Sequence, residues 1–273
     1  MLKEMLEKVQ QNTPLVHNIT NYVTVNDCAN MLLACGASPI MADDIGEVEE
    51  ITSLCSGLNI NIGTLNQRTI PAMLAAGKQA NRLGHPVVLD PVGAGASRLR
   101  TETALQLLRE VKFTVIRGNI SEIKTLASGS GSTKGVDADI ADKVTAENLQ
   151  QAVDFAKEFA RKAGSVIAIT GAIDIVADEK EAFCIFNGDA DMSKITGTGC
   201  MLSAMTAAYV AANPENSLHA AAAAVCAMGL CGQLAKKRMS EQDGNASYRN
   251  YIIDAVYRLT PQKLEEGANY EMR

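Results

Sequence analysis

The 273-residue chain contains no tryptophan, and only 4% of it is aromatic. Platforms that stack the bases of single-stranded nucleic acid need aromatic faces, so that class of function is poorly provided for. A surplus of basic charge is also missing: 25 Lys and Arg face 31 Asp and Glu, a formal net charge of −6. That balance argues against a nucleic-acid or anionic-membrane partner. A small ligand fits better, and an anionic one would need local positive groups or a metal ion. Histidine is scarce, at 17, 85 and 219 only, with none at metal-ligand spacing. The cysteines, at 28, 35, 55, 184, 200, 226 and 231, are odd in number and form no C-x-x-C. This is the pattern of reduced thiols in a cytosolic protein, not of a disulfide framework or a zinc site. No G-x-x-x-x-G-K-[ST] occurs, which excludes a P-loop, and "GAGAS" does not satisfy G-x-G-x-x-G. The opening "MLKEMLEKVQQ" reads as a charged amphipathic helix without the apolar region of a signal peptide.

Apolar material, in contrast, is ample: 47% of the chain is hydrophobic and 21% charged, enough for a buried core. The longest apolar stretch, "LHAAAAAVCAMGLCGQLA", is mostly Ala and Gly with a His and a Gln, and reads as a buried helix, not a membrane span. Short β-rich runs at 14–19, 38–42, 58–63, 86–90, 113–118 and 165–171 alternate with helical patterns, for example 25–35, 66–83 and 145–163. Each of those three helices is followed by a glycine, the expected C-terminal stop. Such a rhythm implies βαβ units and a mostly parallel sheet covered on both faces. A further pair of runs within 174–187 reads as an antiparallel hairpin, followed by helices at 198–212, 217–239 and 246–260. The polar, Gly/Ser-rich stretch 127–144 reads as a surface loop with a helical turn. With no internal repeat and no evident linker, the economical organisation is one three-layer domain over residues 1–273.

Open α/β sheets bind ligands at the carboxyl ends of their strands. Here those ends carry "LDPVGAGAS", "IRGNISEI" and "ITGAID". Asp90 ends an apolar strand and is suited to hold Mg²⁺ by itself or through water; the plain alternative is an Asp-Pro strand terminator. Asn119 and Glu122 have capping-box spacing, which alone accounts for them, although a capping carboxylate can still face a metal-bound phosphate. Arg117 offers charge to a nucleotide phosphate, and Thr170 with Gly171 offers a hydroxyl and bare backbone to a nucleotide. Finally "ITGTGC" (195–200) is a glycine turn opening a helix, where free N–H groups and the helix dipole suit an anion. Cys200 then stands at the helix mouth.

In this order, D-P after one strand, N-x-x-E after the next and G-x-G opening a late helix resemble the ribokinase-like kinases. The segments "PLVHNITNYV", "GASPIMA", "NIGTL", "LDPVGAGAS", "IRGNISEI", "AITG" and "TGTGC" narrow the resemblance to the hydroxyethylthiazole kinase family, from about residue 14 to the C-terminal helices. The sugar kinases of the superfamily usually carry Asp where this chain has Cys200. The resemblance implies a ribokinase-like αβα sandwich and Mg²⁺- and ATP-dependent phosphorylation of the primary hydroxyl of 4-methyl-5-(2-hydroxyethyl)thiazole, a salvage step of thiamine synthesis. It also implies a homotrimer with thiazole pockets at the subunit interfaces. Carried across, Met41 and Asn21 line the thiazole pocket and Gly197 lies near the reacting hydroxyl. Arg117, Thr170 and Asn119 stand on the ATP side. Asp90 and Glu122 serve Mg²⁺ and phosphates, and Cys200 meets the acceptor alcohol. One departure is visible: the family's usual G-P-G-S-[FY] before the last helix is "GNASY" (244–248) here. Two rivals remain, a hydroxymethylpyrimidine-type kinase and an ATP-dependent NAD(P)H-hydrate dehydratase, both compatible with the same fold.

Overall fold

Six apolar runs pair side by side as parallel strands: β1 (Leu15–Ile19), β2 (Ser38–Met41), β3 (Gly57–Asn61), β4 (Val87–Asp90), β5 (Val115–Asn119) and β6 (Val166–Thr170). The antiparallel strands β7 (Asp174–Ala177), β8 (Ala182–Ile185) and β9 (Tyr270–Met272) continue the sheet, in the order β2-β1-β3-β4-β5-β6-β7-β8-β9. The computed structural model describes residues 1–129 and 143–273, so most of the loop expected at 127–144 lies outside the described residues. Strands β3 and β4 are buried along their whole length, as both faces of a parallel sheet require.

Helices cover each face. On one lie α1 (Leu2–Asn12), α2 (Val25–Cys35), α8 (Thr198–Ala212), α9 (Ser217–Arg238), α10 (Asn245–Tyr257) and α11 (Pro261–Gly267). On the other lie α3 (Val48–Leu54), α4 (Thr69–Leu83), α5 (Arg98–Glu110), α6 (Ile120–Gly129) and α7 (Leu149–Ala163). Alternation divides each strand between the two cores: Val88 and Val115 face the first group, Val87, Leu89 and Ile116 the second. Helices α2, α4 and α7 do end on Gly36, Gly84 and Gly164 in the left-handed conformation.

Helix α8 has no polar face. Eleven of its fifteen residues are buried, because it is wedged between the sheet and helices α2 and α9. The small residues of "SAMTAAYVAA" let it come close: a methyl on Gly57 of β3 would stand 2.9 Å from Ala211 Cβ. Helix α9 is long and apolar enough to cross a membrane, but 83% of its apolar window is buried inside the fold, which makes it a core helix.

Three helix boundaries differ from the sequence reading by three residues or more; one is the start of the helix expected at 145–163, which begins at Leu149. The helix expected at 66–83 begins at Thr69, because Asn66 Oδ1 accepts from the backbone N–H groups of Arg68 and Thr69 in a tight turn. The last helix, expected to run to 260, stops at Tyr257. Thr260 then caps a new helix that starts on Pro261, a residue that cannot continue the preceding one. Strand β9, three residues long, carries no periodicity from which to read it.

Candidate active site

Each strand of the parallel set presents alternate side chains to the α8 face, and at the carboxyl ends those side chains are polar. Asn61 ends β3, Asp90 ends β4, Arg117 lies on β5 and Thr170 ends β6, with Asn21 just beyond β1. They form a row across neighbouring strands beneath the start of α8, which is where the fold class predicts a ligand.

Asp90 is fully buried. Its Oδ2 accepts from Ser203 Oγ at 2.7 Å, from Asn61 Nδ2 at 2.9 Å and from Arg117 Nη1 at 3.4 Å. Its Oδ1 has no partner. Burial pushes the Asp90 carboxyl above its ordinary range, opposed by the Arg117 charge and the Ser203 hydroxyl. Arg117 also donates through Nη2 to Thr170 Oγ1 at 2.6 Å, so the guanidinium bridges the ends of β4 and β6.

Helix α8 closes the site from above. Gly197 caps it at φ 89°, a left-handed conformation that a side chain rarely adopts, and a Cβ there would collide with Thr24. The following N–H groups at the helix start lack intrahelical acceptors and carry the positive end of the dipole. At Gly199 the backbone lies so near Arg117 that a Cβ would be 2.6 Å from Nη1. Fixed positive ends and an arginine on one side, with a buried carboxylate behind them, suit a polyphosphate accompanied by a cation. Cys200, in the first turn, is partly exposed, whereas the other six cysteines are buried; all seven are free thiols. Its Sγ accepts from Asn21 Nδ2 at 3.2 Å.

Hydrogen bonds thus bring together Asn21, Asp90, Arg117, Thr170 and Cys200, with Gly197 at the helix cap. Glu122 and Asn119 sit one step away and form a complete capping box on α6. Glu122 Oε2 accepts from Asn119 N at 2.8 Å, while Asn119 Oδ1 accepts from Glu122 N at 2.9 Å. Glu122 does more than cap, since Oε1 accepts from Gly93 N at 2.8 Å and so pins the "PVGAG" turn after Asp90. Met41 ends the edge strand β2, half-buried, in register with Asn18 of β1. The altered "GNASY" loop starts α10 with Gly244 as its cap, and Tyr248 is buried with its hydroxyl donating to Gly232 O.

Sequence reasoning overlooked Asn61 and Ser203. Asn61 lies inside an apolar strand run, although Asn59 and Asn61 at alternate positions of "LNINIG" put two amides on one sheet face. Ser203 stands one turn beyond Gly199 on the same helix face. Another buried polar residue, His17, is separate from this row: Nδ1 meets Thr52 Oγ1 at 2.9 Å and Nε2 meets Ala42 O at 2.8 Å. Burial holds it below the usual histidine range.

Known proteins match over the whole length. The hydroxyethylthiazole kinase family model covers residues 6–262. A hydroxyethylthiazole kinase of Clostridium acetobutylicum is 69% identical over 99% of both chains. The solved structure of a hydroxyethylthiazole kinase from Pyrococcus horikoshii superposes with a TM-score of 0.89 at 35% identity, covering 100% of this chain and 98% of that one. A Bacillus subtilis pyridoxal kinase in an ADP complex shares the fold alone, with a TM-score of 0.59 at 17% identity over 80% of this chain and 90% of its own. With a full-length family match, a relative of this identity and the motif row gathered beneath α8, the chain belongs to the hydroxyethylthiazole kinase family.

Proposed function

We propose that the protein transfers the γ-phosphoryl group of ATP to the primary hydroxyl of 4-methyl-5-(2-hydroxyethyl)thiazole, as a salvage step of thiamine synthesis. One observation carries the reading: an arginine, a buried carboxylate and a thiol are held together at the open N-terminus of α8. Phosphoryl transfer through a loose transition state asks mainly for positioning and charge neutralisation, and those are what this arrangement offers.

In this account Arg117 and Thr170 hold the ATP phosphates, with Asn119 flanking them at the start of α6. The N–H groups after Gly197 receive the oxygens of the transferring group. The alcohol oxygen bonds to phosphorus as the bond to the ADP oxygen breaks. The alcohol proton leaves late, and Cys200 Sγ is placed to hydrogen-bond or accept it. Asn21 and Met41 line the thiazole side.

Among the described residues no group of three His, Cys, Asp or Glu could cage a metal. Magnesium is usually held by one or two carboxylates plus phosphates and waters, and the unpartnered Asp90 Oδ1 fits that need. Glu122, with each oxygen already on a backbone N–H, serves the same site by fixing the turn behind Asp90. Bound Mg²⁺ would supply neutralisation of the triphosphate charge.

The assembly in this reading is a homotrimer with sites shared between subunits, and each chain acts as one kinase domain over residues 1–273. Strand β2 is a sheet edge; Ile45, four residues beyond its end, is 55% exposed, and Tyr22, three residues beyond its neighbour β1, is 79% exposed. An open strand edge bordered by exposed apolar residues favours a protein partner. The free thiols agree with a cytoplasmic protein.

Mass spectrometry of the products formed from Mg-ATP and a panel of small alcohols tests the reaction. A thiazole phosphate with stoichiometric ADP is expected. Phosphorylation of a pyrimidine alcohol instead, or loss of water from hydrated NAD(P)H, would replace this reading with one of its rivals.

A further inference from the structure

Asn61 joins the two halves of the site. It is 1% exposed, and its Nδ2 donates to Asp90 Oδ2 at 2.9 Å. Its Oδ1 accepts from Gly63 N at 2.8 Å and from Asn21 Nδ2 at 3.2 Å. Asn21 uses the same Nδ2 to reach Cys200 Sγ at 3.2 Å, while its Oδ1 takes the backbone N–H and the hydroxyl of Thr24. An unbroken line of hydrogen bonds therefore runs Cys200–Asn21–Asn61–Asp90.

The orientation of both amides is forced. Turning Asn61 over would put a donor against the Gly63 N–H and the Asn21 NH₂, and a carbonyl oxygen against a carboxylate. Turning Asn21 over would do the same at Thr24. The line thus has a fixed polarity, with Asn21 donating at the sulfur end and Asn61 donating at the carboxylate end. At Asp90 the Asn61 donor joins Ser203 and Arg117 on Oδ2, which stops rotation of the carboxylate and keeps Oδ1 as its free oxygen. At Cys200 the bond donated by Asn21 fixes where the sulfur sits at the mouth of α8.

We propose that Asn61 is a positioning residue of the transfer reaction, locking the Asp90 carboxylate on the phosphate side and, through Asn21, the Cys200 thiol on the acceptor side into one geometry. This rests on the kinase reading above. Reacting groups lose much of their rate when held loosely, so the effect belongs in kcat more than in substrate binding.

Two substitutions separate the arms. Asn61→Asp keeps both acceptor contacts but removes the donor to Asp90 and sets a second carboxylate beside it. Asn61→Ala removes both arms. Steady-state kinetics with Mg-ATP, thermal melts and the rate of Cys200 alkylation by iodoacetamide, followed by peptide mass spectrometry, are compared with wild type. Both variants are expected to lose kcat by on the order of tenfold or more while KM for the thiazole alcohol changes little. Asn61→Ala also changes the rate of Cys200 alkylation, because the Asn21 amide that donates to the sulfur loses its Asn61 contact and is held by Thr24 alone. Wild-type kcat in either variant, a kcat loss no greater than the loss of folded protein, or unchanged alkylation in Asn61→Ala overturns the proposal. Should Asn61→Ala fail to fold, Asn61→Asp decides it, since the Gly63 turn is retained. Wild type that makes no thiazole phosphate would instead refute the kinase reading, and the alkylation arm would still test the link to Cys200.

Discussion

The guanidinium of Arg117 lies directly against the backbone of Gly199, with no room between them for a methyl group. A Cβ at 199 would meet Nη1 at 2.6 Å and Nη2 at 2.7 Å. Since the same guanidinium bridges Asp90 and Thr170, displacing it disturbs three strand ends at once. Gly199→Ala is therefore expected to leave the fold intact, because alanine suits a helix. Turnover should fall by about 100-fold with a higher KM for ATP, as a displacement near 1 Å can cost. Kinetics beside circular dichroism check this, and an active Gly199→Ala enzyme would mean that Arg117 has no part in transfer.

Asp90 and Glu122 are expected to separate function from stability. Burial disfavours the charged Asp90 carboxyl, so Asp90→Asn should melt no lower than wild type near neutral pH while losing nearly all turnover. Glu122→Ala frees the N–H groups of Asn119 and Gly93 and should cost about 1 kcal/mol or more of stability, together with a partial loss of activity. Full activity in Asp90→Asn would remove it from the mechanism.

A pH signature is expected from Asp174, at the start of β7. Burial pushes its carboxyl up to about 7, against the Gly171 N–H bond and the Arg117 charge. A carboxyl raised on folding favours the native state while protonated, so its contribution is full below the ordinary carboxylate value of 3.8 and is lost progressively as pH rises from there to about 7. Asp174→Asn keeps an acceptor for Gly171 and removes the titration. The buried His17 acts in the opposite sense, weakening the fold as pH falls below the ordinary histidine range. The informative quantity is therefore the difference between the wild-type and Asp174→Asn melting curves from pH 4 to 8. That gap should widen in favour of the variant from about pH 4 to about 7 and level off above it, and a constant gap would contradict the assignment.

Assembly is testable at Ile45, 55% exposed beside the β2 edge. Light scattering should give three times the chain mass for wild type and a smaller species for Ile45→Asp, with activity falling alongside. A fully active wild-type monomer would refute shared sites.

Much of this was legible from the sequence because the chemistry sits where elements end. Asp90 stops an apolar strand, Gly197 and Gly199 stand at the cap and first turn of an otherwise apolar helix, and Asn119 and Glu122 carry capping-box spacing, so each was visible as a break in a pattern. Asn61 and Ser203 break no pattern. One lies inside a strand and one inside a helix, and only the pairing of β3 with β4 under α8 brings both to the same carboxylate oxygen. Short β9 was hidden for a related reason: its place is set by pairing with β8, not by its own residues.

The central claim, that this site phosphorylates a thiazole alcohol, is tested most directly by steady-state specificity. The measurement is kcat/KM with Mg-ATP for 4-methyl-5-(2-hydroxyethyl)thiazole, hydroxymethylpyrimidine and pyridoxal, with ADP and phosphorylated product counted together. The account predicts one ADP per thiazole phosphate and a preference for the thiazole on the order of 100-fold. Equal or reversed preference, or ADP formed without thiazole phosphate, would contradict it.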